Sequence, residues 1–245
     1  AFFQETTLSY QHQSTEFQNI NDDRKADGRN VNSDFNHDSY FFFDNSSDTK
    51  GGFSYQTQRE NQERRKRFTA TFAEDLDKDF AMGITYRFTE DVFGYNKKEH
   101  KSMHQIVVGL TQIYSEDISL GLIVVDPYRS LRSDANAVLG AQYKFTEMVS
   151  LMLDVGANYT MDVKQYYLYK AATQINVFSD FYARGGKFFD NTTNSQGYAW
   201  GLSWVGPKIA LDFAFRETKQ IESNVDFLYK DEKILDTSMA ITTFF

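Results

Sequence analysis

Apolar side chains recur at every second position along most of this chain. Leu139, Ala141, Tyr143 and Phe145 form one such set, and after Thr146-Glu147 it resumes as Val149, Leu151, Leu153, Val155, Ala157 and Tyr159. Phe68, Ala70 and Phe72 form another, as do Phe80 to Phe88, Ile106 to Leu110, Ile118 to Val124, Tyr167 to Val177, Tyr198 to Trp204, Ile209 to Phe215, and Leu235 to Phe245. A period of two is the period of a β-strand, whose side chains point to opposite faces in turn. No stretch sustains a 3.6-residue period, so no sizeable helix is expected. The longest clean apolar stretch, Leu122 to Val125, is far too short for a spanning helix. With weaker runs at 2–12, 35–43, 51–60 and 180–189, the pattern predicts about 14 strands, or 12 if 35–60 and 165–190 contribute fewer.

The breaks between runs are unequal. Short ones lie at 75–78, 115–117, 146–147, 179–180 and 206–207, and long polar ones at 13–34, 90–102, 126–134, 190–196 and 217–232. Short and long alternate, as they do when up-and-down strands have tight turns at one end and long loops at the other. Pro127 and Pro207 both fall at breaks, where a strand protein tolerates proline. The segment GITYRFTED (83–91) echoes GAQYKFTEM (140–148). The echo suggests equivalent depths for Tyr86-Arg87-Phe88 and Tyr143-Lys144-Phe145, or a frame slipped by one strand near residue 90.

The two faces differ in kind. One is Leu, Phe, Tyr and Val; the other is rich in Gly, Ala, Ser, Thr and Asn with few charges, and most charge sits in the loops. Twelve or more strands close into a barrel too wide for side chains to fill, so an inward oily face would enclose water. A small polar face suits a lumen and an oily face suits lipid. Phe72, Phe88, Tyr114, Phe145, Phe178 and Trp204, near strand ends, suit interfacial girdles. Closure also leaves no unpaired edge in hydrocarbon. The expected fold is all-β: one transmembrane antiparallel up-and-down barrel occupying residues 1–245. The absence of cysteine excludes disulfides and thiolate metal sites, and the net charge of −8 argues against a nucleic-acid partner.

The ending LDTSMAITTFF, with alternating Met239 and Ile241 and terminal Phe245, resembles the C-terminal strand of bacterial outer-membrane β-barrel proteins. That resemblance implies an outer-membrane location, contact with lipid and lipopolysaccharide, short periplasmic turns and longer extracellular loops. It also implies that the barrel-assembly machinery reads Phe245 as an assembly signal. Ala1-Phe2-Phe3-Gln4-Glu5 reads as a mature start after signal-peptide removal.

Motifs for chemistry are sparse. His100 and His104 are spaced i, i+4 but fall in a loop and a strand start, without the helix that would aim both at a metal. Asp22-Asp23 with His37-Asp38 resembles the acidic pair and His-Asp of outer-membrane aspartyl-type proteases, although spacing and strand context differ. A protease-like enzyme is therefore the third reading, and no cofactor or metal is expected. Gly83, Gly140, Gly156 and Gly201 stand alone in strands, where glycine relieves packing or admits a bulge.

On the inward face the alternation places Arg67, Arg87, Lys144, Lys170, Arg184 and Arg216 against Asp154, Asp212 and Asp236. The inner wall thus leans cationic; either these confined charges set an ion preference, or the arginines only pair with neighbouring carboxylates. Val107, Ile113, Ile123, Val125, Val138 and Met152 also face inward, on four consecutive strands. Such a patch is covered by a loop, for which 13–34 is a candidate, or serves as a slide for an apolar solute, or arises in part from bulges that swap faces. The leading expectation is a monomeric or weakly associated channel for passive diffusion of small hydrophilic solutes, modestly preferring anions. The alternative is a structural or surface-interaction barrel with an occluded lumen.

Overall fold

A computed structural model describes residues 6–19, 35–46, 49–60, 63–93, 99–129, 135–220 and 232–245. Its strands are β1 (Thr6–Asn19), β2 (Phe35–Asp44), β3 (Thr49–Glu60), β4 (Glu63–Asp77), β5 (Phe80–Phe93), β6 (Glu99–Ile113) and β7 (Ile118–Val125). They continue as β8 (Asn136–Lys144), β9 (Val149–Asn158), β10 (Tyr167–Phe178), β11 (Phe181–Asp190), β12 (Ser195–Val205), β13 (Ile209–Gln220) and β14 (Glu232–Phe244). Each pairs antiparallel with its neighbours in sequence, and β1 closes on β14 from Thr7↔Phe244 to Asn19↔Glu232. The fold is a closed 14-stranded barrel with no helix among the described residues.

Turn chemistry keeps one end tight. Ser115 Oγ accepts the backbone N–H groups of Asp117 and Ile118, and Thr146 Oγ1 accepts those of Met148 and Val149, the same hydroxyl-anchored turn used twice. The long connections gather at the other end, which is extracellular in barrels of this kind.

The outer surface inverts the pattern of a soluble protein. Leu8, Ile84, Leu139, Leu153, Leu202 and Met239 are exposed, while only Val92, Ala135, Leu168 and Ala210 are buried apolar residues among those described. Across β1 to β6 the register aligns Tyr10, Tyr40, Tyr55, Phe68, Phe88 and His104 in one outward row. Toward the tight turns, Phe72, Tyr114, Phe145 and Phe178 are exposed. A belt of exposed apolar side chains between two aromatic rims matches the lipid-spanning band of a transmembrane barrel.

Several expected boundaries move. Residues 13–19 belong to β1, β5 runs to Phe93 and β6 starts at Glu99, so these long breaks are shorter than the polarity suggested. Beyond the bilayer a strand needs no oily face, and its alternation fades while its hydrogen bonds continue. The connections at 45–48, 61–62 and 159–166 fall in the gaps between the expected runs. No frame slips near residue 90. β5 carries Arg87 toward the loop end, whereas Lys144 ends β8 at a tight turn, so the two echoing segments lie at opposite ends rather than at equivalent depths.

The wall is uneven in height. β4 and β6 have 15 residues each, whereas β7 has 8 and β8 has 9. β7 pairs with β6 only between Val107 and Ile113. Above this low segment, the loop after β7 is fastened to the loop after β9. The Tyr159 hydroxyl donates to the carbonyls of Val125 (2.9 Å) and Asp126 (2.5 Å), and Tyr159 N–H donates to Ala135 O. Burial, then the Asp126 carboxylate, pushes the Tyr159 phenol above its ordinary pKa.

Candidate functional site

The face opposite the exposed belt divides into two arcs. The polar arc runs from β10 through β14 and β1 to β6, and its side chains bond to one another. Arg216 Nε donates to Asp236 Oδ2 at 2.7 Å, with its Nη2 at 2.6 Å. Thr15 and Gln13 donate to the other carboxylate oxygen at 2.5 and 3.1 Å. Arg65 holds Asp91 through Nε (2.6 Å) and Nη2 (2.8 Å) in a bidentate fork. Ser54 bonds to Thr69, Thr71 to Thr85 at 2.9 Å, and Arg67 Nε donates to Thr89 at 3.3 Å. Ser39, Ser54, Thr89 and Gln105 are exposed by only 3%, 6%, 1% and 2%. Arg65 and Arg216 are thus paired with carboxylates, although their side chains remain 47% and 52% exposed.

Each expected inward charge has a definite place. Arg184 donates to Gln174 at 2.8 Å and lies 3.8 Å from Asp212, which also accepts from Ser203. Lys170, Arg216 and Asp236 border a cavity of about 710 Å³ that reaches across to Gln13, His37 and Gln58. Asp154 folds over Gly140, its Oδ1 2.9 Å from where a Cβ would stand. Arg87 has a buried Nε with no hydrogen-bond partner among the described residues. Lys144 is exposed beside the tight turn and joins no cluster. Arg65, Asp91, Gln13 and Thr15 were missed. Their signal is register, which pairs residues as far apart in sequence as Thr15 and Asp236.

The apolar arc runs from β6 to β10. Val107 pairs with Val125, and Ile123 pairs with Val138. The same row continues through Gly156 to Leu168. Gly156 is small for a reason: a Cβ there would stand 2.8 Å from Val138 Cγ2 and 3.2 Å from Leu168 Cγ. Val138 and Leu168 therefore close over the glycine into a continuous apolar strip. Ile123 remains 47% exposed. Leu168 was not anticipated, because Tyr167 and Tyr169 on either side dominate the alternation of that run. Away from this arc, β2 turns Phe41 and Phe43 to the same inner face, opposite Ser54 and Gly52 in register.

The other sequence candidates do not assemble. His100 and His104 both lie on β6, not in a loop; His104 Nδ1 bonds the Tyr86 hydroxyl at 2.6 Å and its ring lies against Phe88. Asp22-Asp23 and most of the proposed covering segment 13–34 lie outside the described residues. No group of three or more His, Asp or Glu among the described residues could hold a metal ion. Phe245 N–H donates to Thr6 O at 2.9 Å, joining the end of β14 to the start of β1.

No family model matches the chain, and no curated protein does. Solved structures do. A structure described as the CymD monoaromatic hydrocarbon channel matches with a TM-score of 0.74 at 10% identity, covering 99% of this chain and 89% of that one. The toluene transporter TbuX of Ralstonia pickettii matches at 0.66 and 10% identity, covering 98% and 89%. The toluene transporter TodX of P. putida matches at 0.63 and 7%, covering 100% and 90%. At these identities the likeness is one of fold: a 14-stranded outer-membrane barrel of the kind seen in hydrocarbon channels. The expectation of passive diffusion for small hydrophilic solutes, with anion preference, is overturned. The three barrels above are named for apolar cargo, and the wall bears on the error: Arg65, Arg184 and Arg216 stand beside carboxylates. The alternative of an occluded lumen agrees better with that pairing.

Proposed function

We propose that this protein is an outer-membrane channel for small apolar molecules of the monoaromatic hydrocarbon class. The observation that carries the reading is the apolar strip of Val107, Ile123, Val125, Val138 and Leu168 on the inner face. An apolar patch bared to channel water is costly, whereas the same patch is favourable to an apolar solute leaving water. The polar arc contributes the complementary property. Its ion pairs and hydroxyl pairs leave few free charges to conduct ions. The fold it shares with CymD, TbuX and TodX, whose names attach monoaromatic hydrocarbons or toluene to them, supports the same class of cargo.

The test combines two measurements on one folded preparation. Toluene entry into vesicles carrying the protein is expected to exceed that into empty vesicles, while planar bilayers show no large stable conductance steps. Wide, long-lived ion conductance without faster toluene entry would refute the proposal.

A further inference from the structure

Lys170, Phe188, Thr218 and Ile234 line the cavity of about 710 Å³ and belong to one row of the inner register, with Gly197 between Phe188 and Thr218. Phe188 forms a platform in this row. Gly197 lies directly opposite it, and a Cβ there would stand 2.9 Å from both Cε1 and Cζ of the ring. The ring therefore lies against the bare backbone of β12, half-buried, with its remaining surface on the cavity. The next row toward the tight turns holds Ala172, Gly186 and Ala199. None carries more than a methyl group, so the wall recedes beside the platform and leaves room for a second ring.

The charges around the platform are engaged, with one exception. Arg216 and Asp236 are joined, and Asp236 also receives Thr15 and Gln13. Asp190 accepts the backbone N–H groups of Thr192 at 2.8 Å and Thr193 at 3.3 Å. His37, across the cavity, bonds Ser39 at 3.3 Å. Lys170 is exposed and has neither a hydrogen bond nor an ion pair among the described residues. Asp154, directly opposite it in the β9–β10 register, leans the other way, with Oδ1 2.9 Å from the Cβ position of Gly140 on β8. An aromatic platform and an unengaged ammonium group thus stand side by side on neighbouring strands. We propose that this cavity binds monoaromatic carboxylates, with the ring on Phe188 and the carboxylate on the Lys170 ammonium group. Ring contact and a charge-assisted hydrogen bond supply the two parts of the recognition. Directly opposite positions hold their Cβ atoms about 5 Å apart, so the carboxylate is carried on the ring or next to it. The site goes beyond the apolar path, which it adjoins at Leu168, and it is a place of binding that adds no ion conductance.

The test is equilibrium binding to the folded full-length chain in detergent, read by isothermal titration calorimetry, with heat-modifiable mobility as the check on folding. Benzoate is the probe, benzamide its uncharged counterpart and cyclohexanecarboxylate its non-aromatic one. Wild type is expected to bind benzoate about tenfold more tightly than benzamide and about fivefold more tightly than cyclohexanecarboxylate. Lys170→Met is expected to weaken benzoate about tenfold and leave benzamide unchanged. Phe188→Leu is expected to weaken benzoate about fivefold and leave cyclohexanecarboxylate unchanged. Lys144→Met, at the exposed cation beside a tight turn, is expected to alter none of these affinities. No saturable benzoate binding, equal wild-type affinity for benzoate and either counterpart, or undiminished benzoate binding in folded Lys170→Met would overturn the proposal. Toluene entry into vesicles is a separate measurement, so failure of the apolar path and failure of this site are distinguishable.

Discussion

The two arcs of the inner wall solve the same problem differently. Both belong to one sheet and alternate with the same lipid-facing belt. The polar arc satisfies its groups internally: Asp236 receives Arg216, Thr15 and Gln13, and Asp91 receives both arms of Arg65. The apolar arc also carries polar groups, such as Asp154 and the buried Asn158, but its strip of Ile123, Val138 and Leu168 has none to satisfy, and part of that strip stays open, as at Ile123. It also has the shortest strands, so the wall is lowest where the inner surface is oiliest. Hydrogen bonding fixes side chains and fills space, while an aliphatic surface can remain bare only if something apolar visits it. On the proposed function, closure to ions and passage of apolar molecules come from different sectors of one barrel.

The polar arc should be broken most by removing a cation. Arg216→Ala leaves Asp236 buried with only Thr15 and Gln13, and is expected to cost about 3 kcal/mol of barrel stability, read by urea unfolding in lipid. The partial exposure of Arg216 places this at the lower end of the range for a buried pair. Loss below about 0.5 kcal/mol would mean that the arc is not held by its ion pairs.

On the apolar side the corresponding test is steric. Gly156→Val pushes a side chain into Ala137 O and Val138 Cγ2, each 2.8 Å from the Cβ position, and is expected to cost about 2 kcal/mol. A neutral result in the same unfolding assay would show that the strip is looser than its geometry.

The fastening above the low wall is a smaller effect. Tyr159→Phe removes the donor to Val125 O and Asp126 O and is expected to cost about 1 kcal/mol. The pH dependence follows from the raised phenol. A group whose pKa is higher folded than unfolded contributes its full stability below the unfolded value, near 10 for tyrosine, and loses that contribution as pH rises through the folded value. Hydrogen exchange at residues 126–129 and 159–166 is therefore expected to stay slow at neutral pH and accelerate only above about pH 10, and Tyr159→Phe should abolish that step. Ile123→Ala, at an open site, is expected to change stability by no more than about 0.5 kcal/mol. A larger loss would mean that Ile123 is part of a packed core.

How much of this was legible in the sequence follows the same division. The number of strands was readable because every strand must present lipid with an oily face, and that requirement repeats on all of them. Strand ends were less readable: Gln13, Ser14, Thr15 and Glu16 continue β1 where no lipid demands alternation. The inward apolar residues Val107, Ile123, Val125 and Val138 could be identified by parity alone, and what they were for could not. The cations left two readings open, because a sequence shows Arg216 and Asp236 without showing that the register sets them side by side. Two residues on the same face are either free wall charge or a closed pair, and only the register distinguishes them.

The central claim is that apolar molecules travel along the β6–β10 arc. Its most direct test is toluene entry into vesicles containing the wild type or the Ile123→Asp/Val138→Asp variant, with both shown to be folded by heat-modifiable mobility. The expected result is entry reduced to the level of empty vesicles in the variant, because two carboxylates hydrate the strip and remove its affinity for an apolar solute. Wild-type rates in a folded variant would contradict the account and place the path elsewhere in the barrel.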